Sequence, residues 1–308
     1  MELFWTLLIK LIPLYIMILA GFIAARTLHI HRESVARLLI YIVAPVVVFY
    51  GAYTATLDSS HLSLPIIFFL IGSIFSMLFY GIGKWVFGED STKNILAFSA
   101  GTGNTGYFGI PAALALMGDQ ALSSVVLCIL GVILYENSVG YFFIAKGHYT
   151  VAQSLKKVAF LPSLHAFFVG IALNFFHVPI GEIAVSTVTY FKGAYTLMGM
   201  MIMGMGLAAV KIQHIDFKYI SLSMFAKFVV WPVVMGGLVL LDQTWFHSYG
   251  VTTQNVLYLM GIVPLAANTV AFAAELNMHP DKAALAVLLS TVFAIFYIPW
   301  MAIRLMTL

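Results

Sequence analysis

Two asparagine–threonine pairs, each beside a proline and inside a long apolar stretch, are the residues best equipped for chemistry in this sequence. The first lies in Gly101-Thr102-Gly103-Asn104-Thr105-Gly106-Tyr107-Phe108-Gly109-Ile110-Pro111, the second in Gly261-Ile262-Val263-Pro264-Leu265-Ala266-Ala267-Asn268-Thr269. Amide and hydroxyl side chains both donate and accept hydrogen bonds. Proline has no N–H and its ring clashes with the preceding turn, so each stretch reads as a helix that stops and restarts. Bare backbone is costly in lipid, so such a break must face protein or a water-filled cavity. One kinked, glycine-rich segment alone would fit close helix packing. A second, in a matching place, shifts the reading toward a binding site.

A restarted helix aims free N–H groups and a positive dipole end at the break. Pro111 suits the first turn of a new half-helix, and Pro264 offers a comparable start. Two such ends favour an anion, and a carboxylate is the common small one. The candidate substrate-binding residues are therefore Asn104, Thr105, Gly106, Tyr107, Pro111, Pro264, Asn268 and Thr269. The plainer alternative is that the asparagines only satisfy the opened backbone.

Glu136-Asn137 is the third feature. Glu136 lies about eight residues inside its apolar segment, roughly 12 Å deep at the helical rise. An intramembrane carboxylate is a functional hypothesis by default. It suits a proton or ion carrier, with Asn137 beside it. It suits equally an ion pair with Lys10, Lys192 or Lys227, or hydrogen bonds to the first break. Lys10 reads as snorkelling to the surface; Lys192 reads either so or as lining a path for an anion. The run Met198 to Met205, with Gly199, Gly204 and Gly206, reads as a close helix interface.

The elements that must position these residues follow from composition. Of 308 residues, 62% are hydrophobic and 9% charged, and the mean hydropathy is +1.01. That excludes an ordinary soluble domain and reads as an all-α membrane protein. The apolar runs are too long for barrel strands. The single cysteine, Cys128, leaves no intrachain disulfide and no metal or redox motif. Ten spans are expected, at about 4–25, 36–53, 64–86, 94–117, 121–144, 160–177, 184–210, 217–241, 253–276 and 283–306. Lys10 and Pro13 interrupt the first, which reads as a span and not a cleaved leader.

Charge orients the bundle. Arg26, Arg32, Arg37, Lys84, Lys93, Lys146, Lys156, Lys157, Lys211, Lys218 and Lys282 fall in loops on one side; the other side carries Asp58, Asp119, Glu182 and Asp242, with Arg304 its one basic residue. The positive-inside rule puts the basic side in the cytoplasm and both termini outside. Ten spans divide into inverted repeats, 1–145 and 160–308, joined by a cytoplasmic connector at 146–159. The interrupted spans are the fourth of each half, as in transporters built from inverted repeats. No H-E-x-x-H, G-x-S-x-G or Walker A pattern occurs, so no enzyme is expected.

The stretch Gly103-Asn104-Thr105-Gly106-Tyr107-Phe108-Gly109-Ile110-Pro111 resembles the signature of the auxin efflux carrier family, in its compact prokaryotic form, and the resemblance extends over the whole chain. The resemblance implies the fold of the plant auxin carriers and, more distantly, of the bile-acid/sodium symporters. Spans 1, 2, 6 and 7 would form a scaffold. Spans 3–5 and 8–10 would form a transport domain whose broken helices 4 and 9 cross at the substrate, moving by an elevator-type alternation. Plant members carry a long central hydrophilic loop; here the connector is about fifteen residues. Prokaryotic relatives are linked to malate, malonate and similar acids. A homodimer through the scaffold is implied by the resemblance alone.

Together these readings describe a secondary transporter, a permease or efflux carrier, of small organic anions such as carboxylates or auxin-like acids, set in the cell (inner) membrane. An anion channel and a ligand-sensing membrane protein using the same crossing are the alternatives. No cofactor is called for; coupling to H+, to Na+ or to the membrane potential stays open, as does the direction of transport.

Overall fold

A computed structural model of the chain describes residues 2–55, 58–145, 162–208, 215–276 and 278–306. Among these residues every regular element is helical. In chain order they are α1 (Glu2–Thr27), α2 (Arg32–Tyr53), α3 (Ser59–Phe87), α4 (Thr92–Gly101), α5 (Ile110–Met117), α6 (Asp119–Ile144), α7 (Pro162–Phe175), α8 (Glu182–Ala208), α9 (Phe217–Phe246), α10 (Val251–Ile262), α11 (Asn268–Glu275) and α12 (Pro280–Leu305). Six of them, α1, α2, α3, α6, α9 and α12, are long and apolar enough to cross a bilayer. The connector expected at 146–159 lies outside the described residues.

Several helices widen locally into π-turns, and three of these stand in a fixed relation to proline. Leu39–Val43 precedes Pro45, Thr105–Gly109 precedes Pro111, and Ala226–Val230 precedes Pro232. In each case the proline follows two residues after the wide turn. A proline ring strikes the carbonyl one turn back; an extra residue in that turn moves the carbonyl away and lets the helix continue. The prolines thus bend these segments without ending them.

The helices pair closely in two groups, which also share one large buried apolar core. In one, α1 runs along α8 and α2 along α7. The α1–α8 crossing depends on glycine: a Cβ at Gly204 would collide with the Ile18 carbonyl and the backbone of Phe22. The expected close interface in the Met198–Met205 run is this crossing. Between α2 and α7, Asn174 donates its amide to the carbonyls of Ala52 (3.3 Å) and Ala55 (2.6 Å). In the other set, α3 packs against α4 and α6. A buried cluster containing Phe79, Phe98, Tyr141, Tyr219, Leu265 and Ala283 draws only on α3, α4, α6, α9, α11, α12 and the segments between them.

The ends of this second set are tied by polar contacts. At the basic end, Lys282 donates to Asp216 (2.8 Å) and to the Thr92 hydroxyl (2.9 Å), joining the starts of α12, α9 and α4. At the other end, Ser124 and Thr253 share a hydrogen bond of 2.9 Å, and His61 lies 3.3 Å from Thr253. These contacts join α6, α10 and α3.

A buried crossing between two interrupted helices

Helix α4 stops at Gly101. Thr102 is extended (φ −133°, ψ 171°), Asn104 is non-helical (φ −75°, ψ 57°), and the π-turn Thr105–Gly109 leads into α5. Pro111 sits in the first turn of α5, where its missing N–H costs nothing. Helix α10 likewise stops at Ile262. Val263 is extended (φ −62°, ψ 154°), and helix resumes as α11 at Asn268. Pro264 therefore does not start a half-helix, as the sequence suggested. It lies in the extended stretch, and the new helix begins four residues later.

The two interruptions touch. The backbone N–H of Asn104 donates to the carbonyl of Pro264 at 2.8 Å. The Asn104 carbonyl in turn accepts from the N–H groups of Phe108 (3.3 Å) and Gly109 (2.9 Å), which closes the π-turn. The N–H of Leu265 donates to the Ser290 hydroxyl of α12 at 3.1 Å. Part of the opened backbone at the crossing, the N–H groups of Asn104 and Leu265 and the carbonyls of Asn104 and Pro264, is thus paired within protein.

Two ionisable side chains complete the crossing from neighbouring helices. Glu136, in the π-turn of α6, is 4% exposed. Its Oε1 accepts from the Thr102 hydroxyl at 2.6 Å and its Oε2 from the Asn268 amide at 2.8 Å. One carboxyl group so bridges both interruptions. Lys227, in the π-turn of α9, is 1% exposed. Its Nζ donates to the Met260 carbonyl at 3.2 Å and lies 4.7 Å from the Trp231 ring centroid. Trp231, four residues on, donates its indole N–H to the Ala100 carbonyl at 2.8 Å. Met260 and Ala100 belong to the last turns of α10 and α4, whose carbonyls have no partner within their own helix. One stretch of α9 thus caps both incoming half-helices. A cation donor at these negative helix ends, and a carboxyl at the start of α11, each match the helix dipole. Gly103 leaves room for the Lys227 ammonium, which a Cβ there would push aside.

The remaining expected residues fall in different places. Gly106 and Tyr107 are half-buried, while Thr105 and Phe108 are buried. This part of the first interruption faces α8. The Asn104 amide points to the Met203 sulfur at 3.2 Å, and Tyr107 packs over Gly199. Thr269 is buried, and its hydroxyl has no hydrogen-bond partner among the described residues. Asn137 donates to the Ile133 carbonyl of its own helix at 2.9 Å, apart from the crossing. Lys10 is exposed. Lys192 is ion-paired with Asp119, at the turn between α5 and α6, and does not stand free to attract an anion.

Sequence reasoning placed Lys227 only as a candidate partner for Glu136 and passed over Trp231 and Thr102. The signal was the spacing: Lys227 and Trp231, at i and i+4 within an apolar span, share one helix face. No group of three or more His, Cys, Asp or Glu side chains that could hold a metal ion occurs among the described residues.

Residues 6–302 match the family described as membrane transport protein. An uncharacterized transporter of Methanocaldococcus jannaschii is 27% identical over 277 residues, covering 87% of this chain and 88% of the relative. An uncharacterized transporter of Methanothermobacter thermautotrophicus is 22% identical over 272 residues, covering 87% of each chain. With interrupted helices meeting in a buried crossing, and with a family match over nearly its full length, the chain belongs to the membrane transport protein family, the auxin efflux carrier family.

Proposed function

We propose that the protein is a secondary transporter of small organic anions, working by an elevator-type alternation across the cell membrane. The observation that carries this reading is the 2.8 Å hydrogen bond from Asn104 to Pro264, which joins the two interruptions at one buried point. Irregular backbone at membrane depth is tolerated only where protein or a cavity satisfies it, and such crossings are the substrate sites of secondary transporters.

Counting α4 with α5 and α10 with α11 as single interrupted spans brings the helices to ten, in two inverted halves of five. The packing supports a division of labour. Helices α1, α2, α7 and α8 would be the scaffold; α3–α6 and α9–α12 would move together, held by the buried cluster and by the Lys282 and Ser124–Thr253 ties. The crossing meets the scaffold through Asn104, Gly106 and Tyr107 against α8, so a substrate bound there would be carried as the two sets slide. The N–H groups of Gly106 and Tyr107 belong to an opening turn and have no acceptor within their own helix, which favours an anion. Glu136 is the candidate proton carrier. Basic loops on the cytoplasmic side and both termini outside complete the topology.

The test is uptake into proteoliposomes of radiolabelled malonate and indole-3-acetate, with and without the same acid inside. A transporter gives saturation and accelerated exchange. Linear, non-saturating flux without counter-flow would mean a channel, and no flux of either acid would refute the organic-anion reading. Repeating the assay with sodium or potassium, at two pH values, assigns the coupling.

A further inference from the structure

At the basic end of the bundle, a groove of about 570 Å³ lies between the last turn of α3 and the first turns of α9. It is lined by Trp85, Val86, Phe217, Lys218, Ser221 and Leu222. Val86 and Leu222 are half-buried, and Leu222 packs against the buried cluster around Phe79 and Phe98. Trp85 is 87% exposed and Phe217 71%; Lys218 and Ser221 are exposed as well. Toward the bilayer centre the α3 side stays open, because Gly81, one turn before Trp85, has nothing within 4 Å of where a side chain would begin. On the α9 side, Phe225, one turn after Ser221, is exposed and apolar.

The acids at this end are already matched. Glu89 pairs with Lys93 and Asp216 with Lys282, and Asp90 faces His279 at 3.3 Å. Lys218, in the groove, and Lys84, the exposed residue before Trp85, meet no carboxylate among the described residues. A tryptophan near the end of a membrane helix marks the boundary between water and hydrocarbon. Lysines at that level attract anionic headgroups. The groove thus offers a phosphate a cation and a hydroxyl at its mouth, and offers an acyl chain apolar walls below. A second wide groove, between α3 and α6, lacks this combination. It measures about 630 Å³ and is lined by Phe69, Met77, Leu134 and Phe142 among others, with no charged side chain. Hydrocarbon from any lipid fits there, so it selects no headgroup.

We propose that the groove between α3 and α9 is a site for one anionic phospholipid of the leaflet at the basic end. Its phosphate meets Lys218 and Ser221, with Lys84 adding charge nearby. Its glycerol lies against Trp85, and an acyl chain runs down past Gly81 and Phe225. Helices α3 and α9 come from opposite halves of the chain, so the bound lipid ties the halves together at the same end as the Lys282 contacts. The site faces the membrane and does not depend on which molecule is transported.

The experiment is a lipid titration of the purified full-length protein in detergent, read by native mass spectrometry and by melting temperature. The probes are dioleoylphosphatidylglycerol, dioleoylphosphatidylcholine, and glycerol 3-phosphate as a headgroup without chains. Wild-type protein should bind phosphatidylglycerol more tightly than phosphatidylcholine, with a saturable rise in melting temperature that glycerol 3-phosphate does not reproduce. Lys218→Gln should weaken phosphatidylglycerol about fivefold, the scale of one basic side chain at a membrane surface, and leave phosphatidylcholine unchanged. Trp85→Ala should weaken both lipids. Arg37→Gln removes an exposed charge from the start of α2 and should change neither. All three side chains are exposed, so the variants should melt like wild type without lipid. Equal affinity for the two lipids, or a loss of phosphatidylglycerol in Lys218→Gln no greater than in Arg37→Gln, would overturn the proposal. A shift with glycerol 3-phosphate as large as that with phosphatidylglycerol would overturn it too, in favour of a soluble phosphate.

Discussion

At the first interruption the chain leaves α4 through extended Thr102, and Asn104 turns its amide outward to Met203 of α8. At the second, Asn268 is the first residue of α11 and turns its amide inward to Glu136. The helix starts differ too. At the second, the N–H groups of Thr269 and Val270 are already taken by the carbonyls of Ala266 (3.1 Å) and Ala267 (3.2 Å). At the first, the opening turn is the wide one, and Gly106 and Tyr107 stay half-buried against α8. Two sequences with the same residue types have become a face and a brace. The first meets whatever lies between the helix sets; the second holds the crossing together.

Breaking the face should have the largest effect. Asn104→Ala keeps the backbone bond to Pro264 but removes the amide that looks toward α8. Transport should fall about 100-fold, the scale of losing a hydrogen bond to a charged ligand, with the protein still folded and in the membrane. Near-normal uptake would remove the crossing from the substrate path. Asn268→Ala should act the other way round. It strips one donor from a buried carboxyl and so costs about 1–3 kcal/mol of stability, read as a lower melting temperature. Substrate affinity in the surviving folded protein should change less than for Asn104→Ala.

Glu136→Gln sharpens the comparison because Glu136 touches both interruptions. The amide retains an oxygen for one donor and presents an N–H₂ to the other, so the bridge is weakened and the ionisable group is gone. If Glu136 carries a proton, transport by the variant should lose its dependence on pH while substrate still binds. An unchanged pH profile would reduce Glu136 to a brace like Asn268.

Lys227→Met probes the helix ends that precede the breaks. Methionine fills similar volume without a donor, leaving the Met260 carbonyl unpaired in a buried place, at about 1–3 kcal/mol. A melting temperature equal to wild type would mean that Trp231 alone suffices to hold both half-helices.

How much of this was readable beforehand depended on the kind of signal. The interruptions were legible because proline and glycine inside an apolar run act locally. Asn104 and Asn268 could be picked out, but their opposite orientations could not, since that depends on which neighbour each break meets. The π-turns were missed: prolines at 45, 111 and 232 follow three of them, but Pro13, Pro65 and Pro299 lie in α-helix with none, so proline alone does not mark where a helix widens. Pro264 was assigned a helix start because proline favours that position; its carbonyl instead serves Asn104, a contact between residues 160 apart in the chain. Lys218 was counted only as a loop charge, because nothing local shows that it shares a groove with Trp85.

The smallest expected effect lies at the basic end, far from either break. There Asp216 is buried enough to push its carboxyl pKa up, yet Lys282 and the Tyr219 N–H outweigh this and hold it below the usual value. A carboxyl with a lowered folded-state pKa stabilises the fold above its ordinary pKa, and that contribution fades as pH falls through the folded value. Both partners are partly exposed, so solvent screening keeps the effect to about 1 kcal/mol or less. Lys282→Met should therefore lower the melting temperature slightly at pH 7, with the gap to wild type closing below about pH 4. Because the tie joins α4, α9 and α12 and touches neither interruption, substrate affinity at pH 7 should stay at the wild-type value. A loss of affinity would mean that the basic end and the crossing are coupled, and that the helices around the crossing are less rigid than their shared core suggests.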